Sequence, residues 1–381
     1  MTGVRFAPVV LPPAAVAMRA RIRAFIAAQA PLGDAPLRAN SWSVGDAAFS
    51  RKLGAAGFIG MTWPAQYGGG GYSVLERYVV QEELLAAGAP VGMHWIADRQ
   101  TGALLLRFGT EEQRARYLPA MARGEIFTCI GMSEPQAGSD LAAVRTNAAR
   151  VAGGWRVNGQ KLWTSNAHHS ALMVTLVRTT PGSERHQGLT QLLVDLRAPG
   201  ITIRPILDLT GAHAFNEVFF DDIFVPDSML LGREGDGWAQ VTAELALERS
   251  GPERYLSSFA LLRELVRAVG PCPDDATAGL IGRAVAEMWT LRGMSLAVAA
   301  RIAAGEGAAT EAAIVKDMGN LFEQELPRLV QAGLPGGVDL DSHPDLARTL
   351  ALLVQTAPSF SLRGGTREIL RGIIARGLGL R

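Results

Sequence analysis

The spacing of apolar residues changes twice along this chain, and that change constrains the fold more than any single motif. From residue 14 to about 125, segments such as "VLERYVVQEELLAAG" and "WIADRQTGALLLRFG" repeat apolar positions at helical spacing. "TEEQRARYLPAMARG" opens with Thr110 and Gln113 at capping-box spacing, each side chain able to satisfy a backbone N–H that the first helical turn leaves open. Between these segments, "MTWPAQYGGGGY" is a Pro/Gly loop that suits neither helix nor strand. From about 126 to 228 the period shortens, and "FTCIGM", "AARVAGGWRVNG", "ALMVTLVRT", "TQLLVDL", "ITIRPIL" and "NEVFFDDIFV" read as strands. Gly153-Gly154 and Asn158-Gly159 are expected to supply positive-φ residues for tight hairpins. Strand follows strand with no helix between, which predicts an antiparallel β domain and not a βαβ one. Beyond "FVPDSMLLGREGDGW" helices return, with long Ala/Leu-rich stretches over 278–305 and 309–333. The reading is an α+β chain of three domains: helical over 1–125, β over 126–230, helical over 231–381.

Composition narrows the function classes. Lys and Arg number 37 against 36 Asp and Glu, so no global field favours nucleic acid or an anionic membrane. Hydrophobic residues at 48% and charged ones at 19% fit a globular protein with much buried surface. "MTGVRFAPVVLPPAAVAMRARIRAF" is broken by Pro12-Pro13 and then by arginines, so it does not read as a signal peptide. With no apolar run of about 18 residues, no membrane insertion is predicted and a cytoplasmic location is expected. Cys129 and Cys272 make neither a disulfide framework nor a zinc site.

The signatures of phosphate-binding loops, dinucleotide folds, serine hydrolases and zinc proteases are absent. His168-His169, read as strand neighbours, would point to opposite faces and could not share an ion, so no metal is expected. "GMSEPQAGSD" (131–140) follows an apolar strand and gathers small, hydroxylated residues in a turn. Such a turn can cradle phosphate with its backbone N–H groups, or can simply close a strand; residue types leave both open. In "NGQKLWTSNA" (158–167), Trp163 and Ser165 alternate onto one face of a strand. A Trp beside a hydroxyl can cover an aromatic ring and donate to its nitrogen, or it can be ordinary core. In "ELALERSGPERYL" (244–256), Glu248 shares a narrow helical face with Val241, Leu245 and Trp238, and Arg249 flanks it. A carboxylate on an apolar stripe is either a surface residue at a helix contact or a group kept dry for chemistry. Pro252 removes the N–H that would bond the Glu248 carbonyl, so the helix is expected to kink or end there.

Taken together, "WPAQYGGGGYS", "FGTEEQRARYLPAMARGE", "GMSEPQAGSD", "VNGQKLWTSNA", "FNEVFFDDIFVPDSMLLGREGDGW" and "GGTREILRGIIARGLGL" resemble the acyl-CoA dehydrogenase family over nearly the whole chain. The resemblance implies an N-terminal helical domain, a central antiparallel β-barrel-like domain and a C-terminal four-helix bundle. It implies FAD as cofactor and oxidation of an acyl-CoA to the 2,3-enoyl-CoA. By motif position Ile130, Met132, Ser133, Gly138 and Ser139 line the flavin, Ser133 at its pyrimidine edge and Gly138 and Ser139 at the pyrophosphate. Trp163, Thr164 and Ser165 lie by the isoalloxazine, and Thr366 and Glu368 also touch FAD. Ser139, Arg249, Gly364 and Gly365 fall on the substrate side, with a backbone N–H near Gly364 holding the thioester oxygen.

Many members of the family place the catalytic Glu directly before the Gly-Thr of the last motif, where this chain has Gly364. The resemblance to the isovaleryl- and long-chain-specific branches puts the base at Glu248, followed by Arg249. Two family features depart. The Arg-x-x-Phe-Gly segment that reaches a neighbouring subunit's FAD is replaced by "SSFALLRELVRAVGPCPDD", with Arg263 and Arg267 as substitutes, and the Gln/Gly-Gly segment appears only as "LVQAGLPGGVDLDS". The resemblance implies a homodimer or homotetramer in fatty acid metabolism that passes electrons to an electron-transfer flavoprotein. The alternatives are a subunit of a heteromeric dehydrogenase, a flavin oxidase or monooxygenase of the same fold, and a non-enzymatic binding protein.

Overall fold

The computed structural model describes residues 4–334 and 341–380, and only the backbone at 244–248. Helices α1 (Pro13–Ala28), α2 (Ala35–Ala39), α3 (Ala47–Ala55), α4 (Val74–Ala87), α5 (Gly92–Ile96), α6 (Gly102–Phe108) and α7 (Glu111–Ala122) come first. Strands β1 (Thr128–Gly131), β2 (Asn147–Val151), β3 (Gly154–Ser165) and β4 (Leu172–Arg178) follow. Then come β5 (Leu189–Asp195), β6 (Ile201–Leu207), β7 (His213–Pro226) and β8 (Leu230–Leu231). The chain closes with α8 (Gly237–Glu248), α9 (Glu253–Leu256), α10 (Phe259–Val269) and α11 (Asp275–Ala303). The last three are α12 (Ala309–Gly333), α13 (Pro344–Phe360) and α14 (Arg367–Gly377).

Local signals act as expected. The Thr110 and Gln113 side chains exchange bonds with each other's backbone N–H at the start of α7. Ser73 and Glu76 do the same for α4, which stops at Gly88 in the left-handed region. The segment 95–109 is helical but not uniform: a wide turn over Ala97–Thr101 joins α5 to α6. The Pro/Gly loop also holds one tight helical turn, Ala65–Tyr67.

The helix, sheet, helix order is as read from the sequence, while compactness follows a different division into two units. One comprises residues 45–71 and 92–245. In it, Trp63, Leu104, Leu105, Leu118 and Met121 from the helical third share a core with Cys129, Val174, Leu193 and Val218 of the sheet. The strand order is β6-β7-β3-β2-β4-β5-β8, with β1 beside β4. The sheet is not purely antiparallel: β1 runs parallel to β4, and β2 meets β4 in parallel at Asn147 and Arg178. A parallel pair needs a long crossover, and the β2–β3 hairpin between β1 and β4 supplies one. Gly153 (φ 75°) makes the expected hairpin turn. Asn158-Gly159 does not. Gly159 (φ 142°) sits inside β3 at a register shift against β7, where a Cβ would come within 2.9 Å of the Thr146 backbone and side chain.

The other unit comprises residues 1–44, 72–91 and 246–381 and is helical. Helix α1 packs on α4, and α10, α11, α12 and α13 close into a four-helix bundle in which each touches the next and α13 returns to α10. Among the described residues no helix is long and apolar enough to cross a membrane.

Candidate functional site

In the sheet-bearing unit, β1 and the end of β3 bring two of the motif segments together. The Leu162 N–H donates to the Ser133 carbonyl at 2.8 Å, and the Lys161 ammonium donates to the Met132 carbonyl at 3.2 Å. Lys161 also reaches Glu134 at 2.8 Å, both side chains being almost wholly buried. Glu134 further accepts from the backbone N–H of Arg145 and Thr146 and from Gln136. Burial alone would push the Glu134 carboxyl up, but the Lys161 ammonium and these donors outweigh it and hold it below its usual range. Burial draws the Lys161 ammonium down to about 8 against the pull of Glu134. The pair thereby locks Ile130, Met132 and Ser133 beside Trp163, Thr164 and Ser165.

The last three residues of β3 do not form a regular strand. The register slips between Lys161 and Thr164, and Trp163 has φ 58°, a conformation that bulky side chains rarely adopt. Trp163 is 56% exposed and its ring meets Phe215 edge-on, while Thr164 is buried with a hydroxyl that has no hydrogen-bond partner. Gly138 and Ser139 lie exposed beyond a tight turn closed by Glu134 and Ala137, and a Cβ at Gly138 would meet no atom within 4 Å.

Helix α8 ends at Glu248, as expected from Pro252, the N-cap residue of α9. The Glu248 and Leu245 side chains lie outside the described residues. Arg249 is buried and its Nε points at the Gly364 carbonyl, 3.5 Å away. Gly364 (φ 67°) and Gly365 (φ 101°) make a left-handed turn into α14, whose N-cap Thr366 accepts from Ile369 N–H. Glu368 is exposed in the first turn of that helix, where its own backbone N–H and the Thr366 hydroxyl hold its carboxyl below the usual range. Arg249, Gly364, Gly365, Thr366 and Glu368 therefore form one cluster.

Models of the acyl-CoA dehydrogenase N-terminal and middle domains match residues 12–125 and 129–223. The acyl-CoA dehydrogenase IpdE1 of Mycobacterium tuberculosis is 37% identical over 345 residues, 87% of each chain. The chain belongs to the acyl-CoA dehydrogenase family. A solved structure titled Tcur3481-Tcur3483 steroid ACAD superposes with a TM-score of 0.84 at 26% identity, covering 97% of this chain and 98% of that one. The ChsE4-ChsE5 complex from Mycobacterium tuberculosis gives 0.84 at 27% identity, over 98% and 99%.

The protein is thus an acyl-CoA dehydrogenase and FAD is its cofactor. Its residues fit the group. The unpartnered Thr164 hydroxyl, the exposed Trp163 ring on a strained backbone and the open side of Gly138 are features that an apolar core would not keep.

Other sequence expectations need correction. His168 and His169 are not on a strand: they occupy a single helical turn, Ala167–His169, so the opposite-faces argument does not apply. The His168 ring lies 3.9 Å from His169 and 3.8 Å from His213, and burial with these neighbours draws its pKa down to about 4. Among the described residues no group of three or more His, Cys, Asp and Glu is arranged to hold a metal. Arg263 and Arg267 both pair with Glu264 on their own helix, at 3.7 and 2.8 Å. Gly336-Gly337 of "LVQAGLPGGVDLDS" lies outside the described residues. Sequence reasoning passed over the buried polar residues of α12, Lys316, Asn320 and Glu323, although their spacing on an otherwise apolar helix face is visible.

Proposed function

We propose that this acyl-CoA dehydrogenase removes the α-proton of its thioester substrate with Glu248 and yields the 2,3-enoyl-CoA. The observation that carries the assignment is Arg249 against the Gly364 carbonyl. Gly364 occupies the position at which many members carry their base, and the residue that grips it directly follows the other candidate. A solvated Glu, with a pKa of about 4.3, is a poor base for a thioester α-proton, and an apolar face such as that of Val241 raises basicity. The backbone N–H groups of the Gly364-Gly365 turn are assigned to the thioester oxygen, stabilising enolate character as the proton leaves. When bound, FAD would supply the two-electron oxidising capacity that no side chain of the chain has. Trp163 and Ser165 are assigned to its ring, Thr164 to the same edge, Ile130, Met132 and Ser133 to the pyrimidine side, and Gly138 and Ser139 to the pyrophosphate. Thr366 and Glu368 complete the cofactor set, and an electron-transfer flavoprotein is the assigned acceptor.

The steroid ACAD neighbour favours a ring-bearing acyl group over a simple fatty acyl chain. A second reading, one subunit of a heteromeric dehydrogenase, is favoured by the ChsE4-ChsE5 complex and by Arg263 and Arg267 being engaged with Glu264. The test is anaerobic titration of the FAD-loaded protein with short, long, branched and steroid-derived acyl-CoAs. Bleaching of the oxidised flavin by the ring-bearing substrates is the expected result. Failure of every acyl-CoA to bleach it, with oxygen uptake on a non-CoA substrate, would overturn the dehydrogenase reading.

A further inference from the structure

Helix α10 carries Arg263 and Arg267 one turn apart on one face, and α2, packed against it, brings in Arg38. Gly88, where α4 stops, permits the close approach: a Cβ there would come within 2.4 Å of Arg38 Cβ. All three guanidinium groups converge on one atom, Oε1 of the buried Glu264. Arg267 lies 2.8 Å from it, Arg38 3.3 Å and Arg263 3.7 Å. Three positive charges around one negative leave the cluster two charges in excess. Asp34 at the start of α2 and Asp345 on the neighbouring α13 do not offset it, because both are taken by Arg348, at 3.4 and 2.8 Å.

One carboxylate oxygen does not satisfy three forks. Arg267 and Arg38 each donate to it, and Arg263 gives its Nη1 to the Ala86 carbonyl at 3.4 Å. Arg38 Nε and Arg263 Nε and Nη2 are closed off from solvent and donate to nothing. Native proteins leave few buried donors unpaired, and like charges gathered on one counter-ion repel. Burial, with the charges of Arg38 and Arg267, draws the Arg263 guanidinium below its usual range against the pull of Glu264. The cluster is open to solvent at Arg267, whose side chain is 58% exposed.

We propose that Arg38, Arg263 and Arg267 form a binding site for a compact phosphate-type dianion. Three cations converging on a point fit one small, doubly charged group, whereas an acidic protein surface calls for arginines spread along a face. The two charges of a phosphate match the excess of two, and guanidinium forks pair with its oxygens through parallel hydrogen bonds. The three orphaned N–H groups make no bond, so turning them onto a phosphate breaks none. Neither α2 nor α10 carries a residue assigned above to FAD or to the thioester. The phosphate is free or is part of a larger ligand such as the 3′-phosphate of CoA, and the recognising chemistry is the same.

The test is calorimetric titration of the full-length, FAD-loaded protein with inorganic phosphate, at a pH where it is a dianion and with ionic strength held constant by sodium chloride. Saturable binding is expected, weakened about tenfold or more by Arg263→Gln, with Arg38→Gln and Arg267→Gln moving the same way. Glu264→Gln, which removes the competing acceptor, should tighten it. If Arg263→Gln does not fold, the exposed Arg267→Gln carries the comparison. CoA and 3′-dephospho-CoA distinguish the sources. A preference for CoA that Arg263→Gln abolishes places the phosphate on CoA, and a preference that the variant leaves unchanged, with inorganic phosphate still bound by wild type, shows that it is free. No saturable phosphate binding, the same heat from chloride alone, or wild-type affinity in all three arginine variants overturns the site. Loss of FAD from Arg263→Gln overturns it too, because the cluster would then belong to the cofactor.

Discussion

Lys161 and Glu134 form an ion pair 2.8 Å long that is closed off from water, one partner on β3 and the other just beyond β1. It ties the two flavin-assigned segments together, and removing one charge leaves the other buried without its partner. Lys161→Met is therefore expected to cost about 3–5 kcal/mol, measured by urea unfolding, and to lower FAD content after purification. A loss below about 1 kcal/mol with full flavin would show that the segments are held by the backbone bonds alone.

Glu248→Gln preserves size and much of the hydrogen bonding, so fold and flavin content should survive. Removing a general base costs about 10² to 10⁴ in rate. Stopped-flow reduction by acyl-CoA should slow by that factor although the ligand still binds. Gly364→Glu in the same background should restore part of the rate, because both positions are assigned to one carbon. Reduction at the wild-type rate would show that the base lies elsewhere.

Arg363 is held by Glu323 and stacks between Trp42 and Phe360, its guanidinium 4.1 and 4.5 Å from the two ring centres. Burial pushes the Glu323 carboxyl up, against the stabilising charge of Arg363. Arg363→Met should destabilise by about 3–5 kcal/mol, and adding Glu323→Leu should recover most of it. Thermal unfolding of the single and double variants decides. A double variant no more stable than the single would assign the cost to the lost stacking on Trp42 and Phe360.

His94 is buried, its Nδ1 2.9 Å from the Ser50 hydroxyl, and burial draws its pKa down to about 4 while Asp98 opposes. The unfolded chain takes up a proton below about 6.5, but the folded one resists until about 4. Stability contributed by the neutral ring is complete above the unfolded value and falls as pH drops through this window, by about 3 kcal/mol in all. His94→Gln should flatten the dependence of unfolding free energy on pH by one proton in that interval. An unchanged slope would locate the titration at another group.

Native mass spectrometry separates the two assembly readings. Expressed alone, a homo-oligomeric enzyme should appear as a dimer or tetramer with one FAD per chain. A heteromer's subunit should carry less than that and recover it when the partner chain is added. Full flavin in the single-chain assembly would end the heteromeric reading.

Much of the fold was legible because its causes are local. The Thr110–Gln113 exchange, the end of α8 before Pro252 and the hairpin at Gly153 each depend on residues a few positions apart. The change from helical to strand period marked the sheet because each strand must alternate or bury its own side chains. The motifs around Ser133, Trp163 and Thr366 were visible as text, and so was the absence of a carboxylate at position 364. What residue spacing did not contain is the geometry that depends on distant partners. Gly159 reads as a turn until β7 and Thr146 are placed beside it, and only then is it a bulge. His168 reads as a strand residue until His213 stacks on it. Lys316 donates to the Gly365 carbonyl from 49 positions away, and nothing in either neighbourhood announces the other. A local rule follows from a few torsions and one or two hydrogen bonds, so a short stretch of sequence determines it. A buried cation on a carbonyl exists only after packing has excluded water and brought two remote segments within 3.1 Å, and that was decided by the tertiary structure.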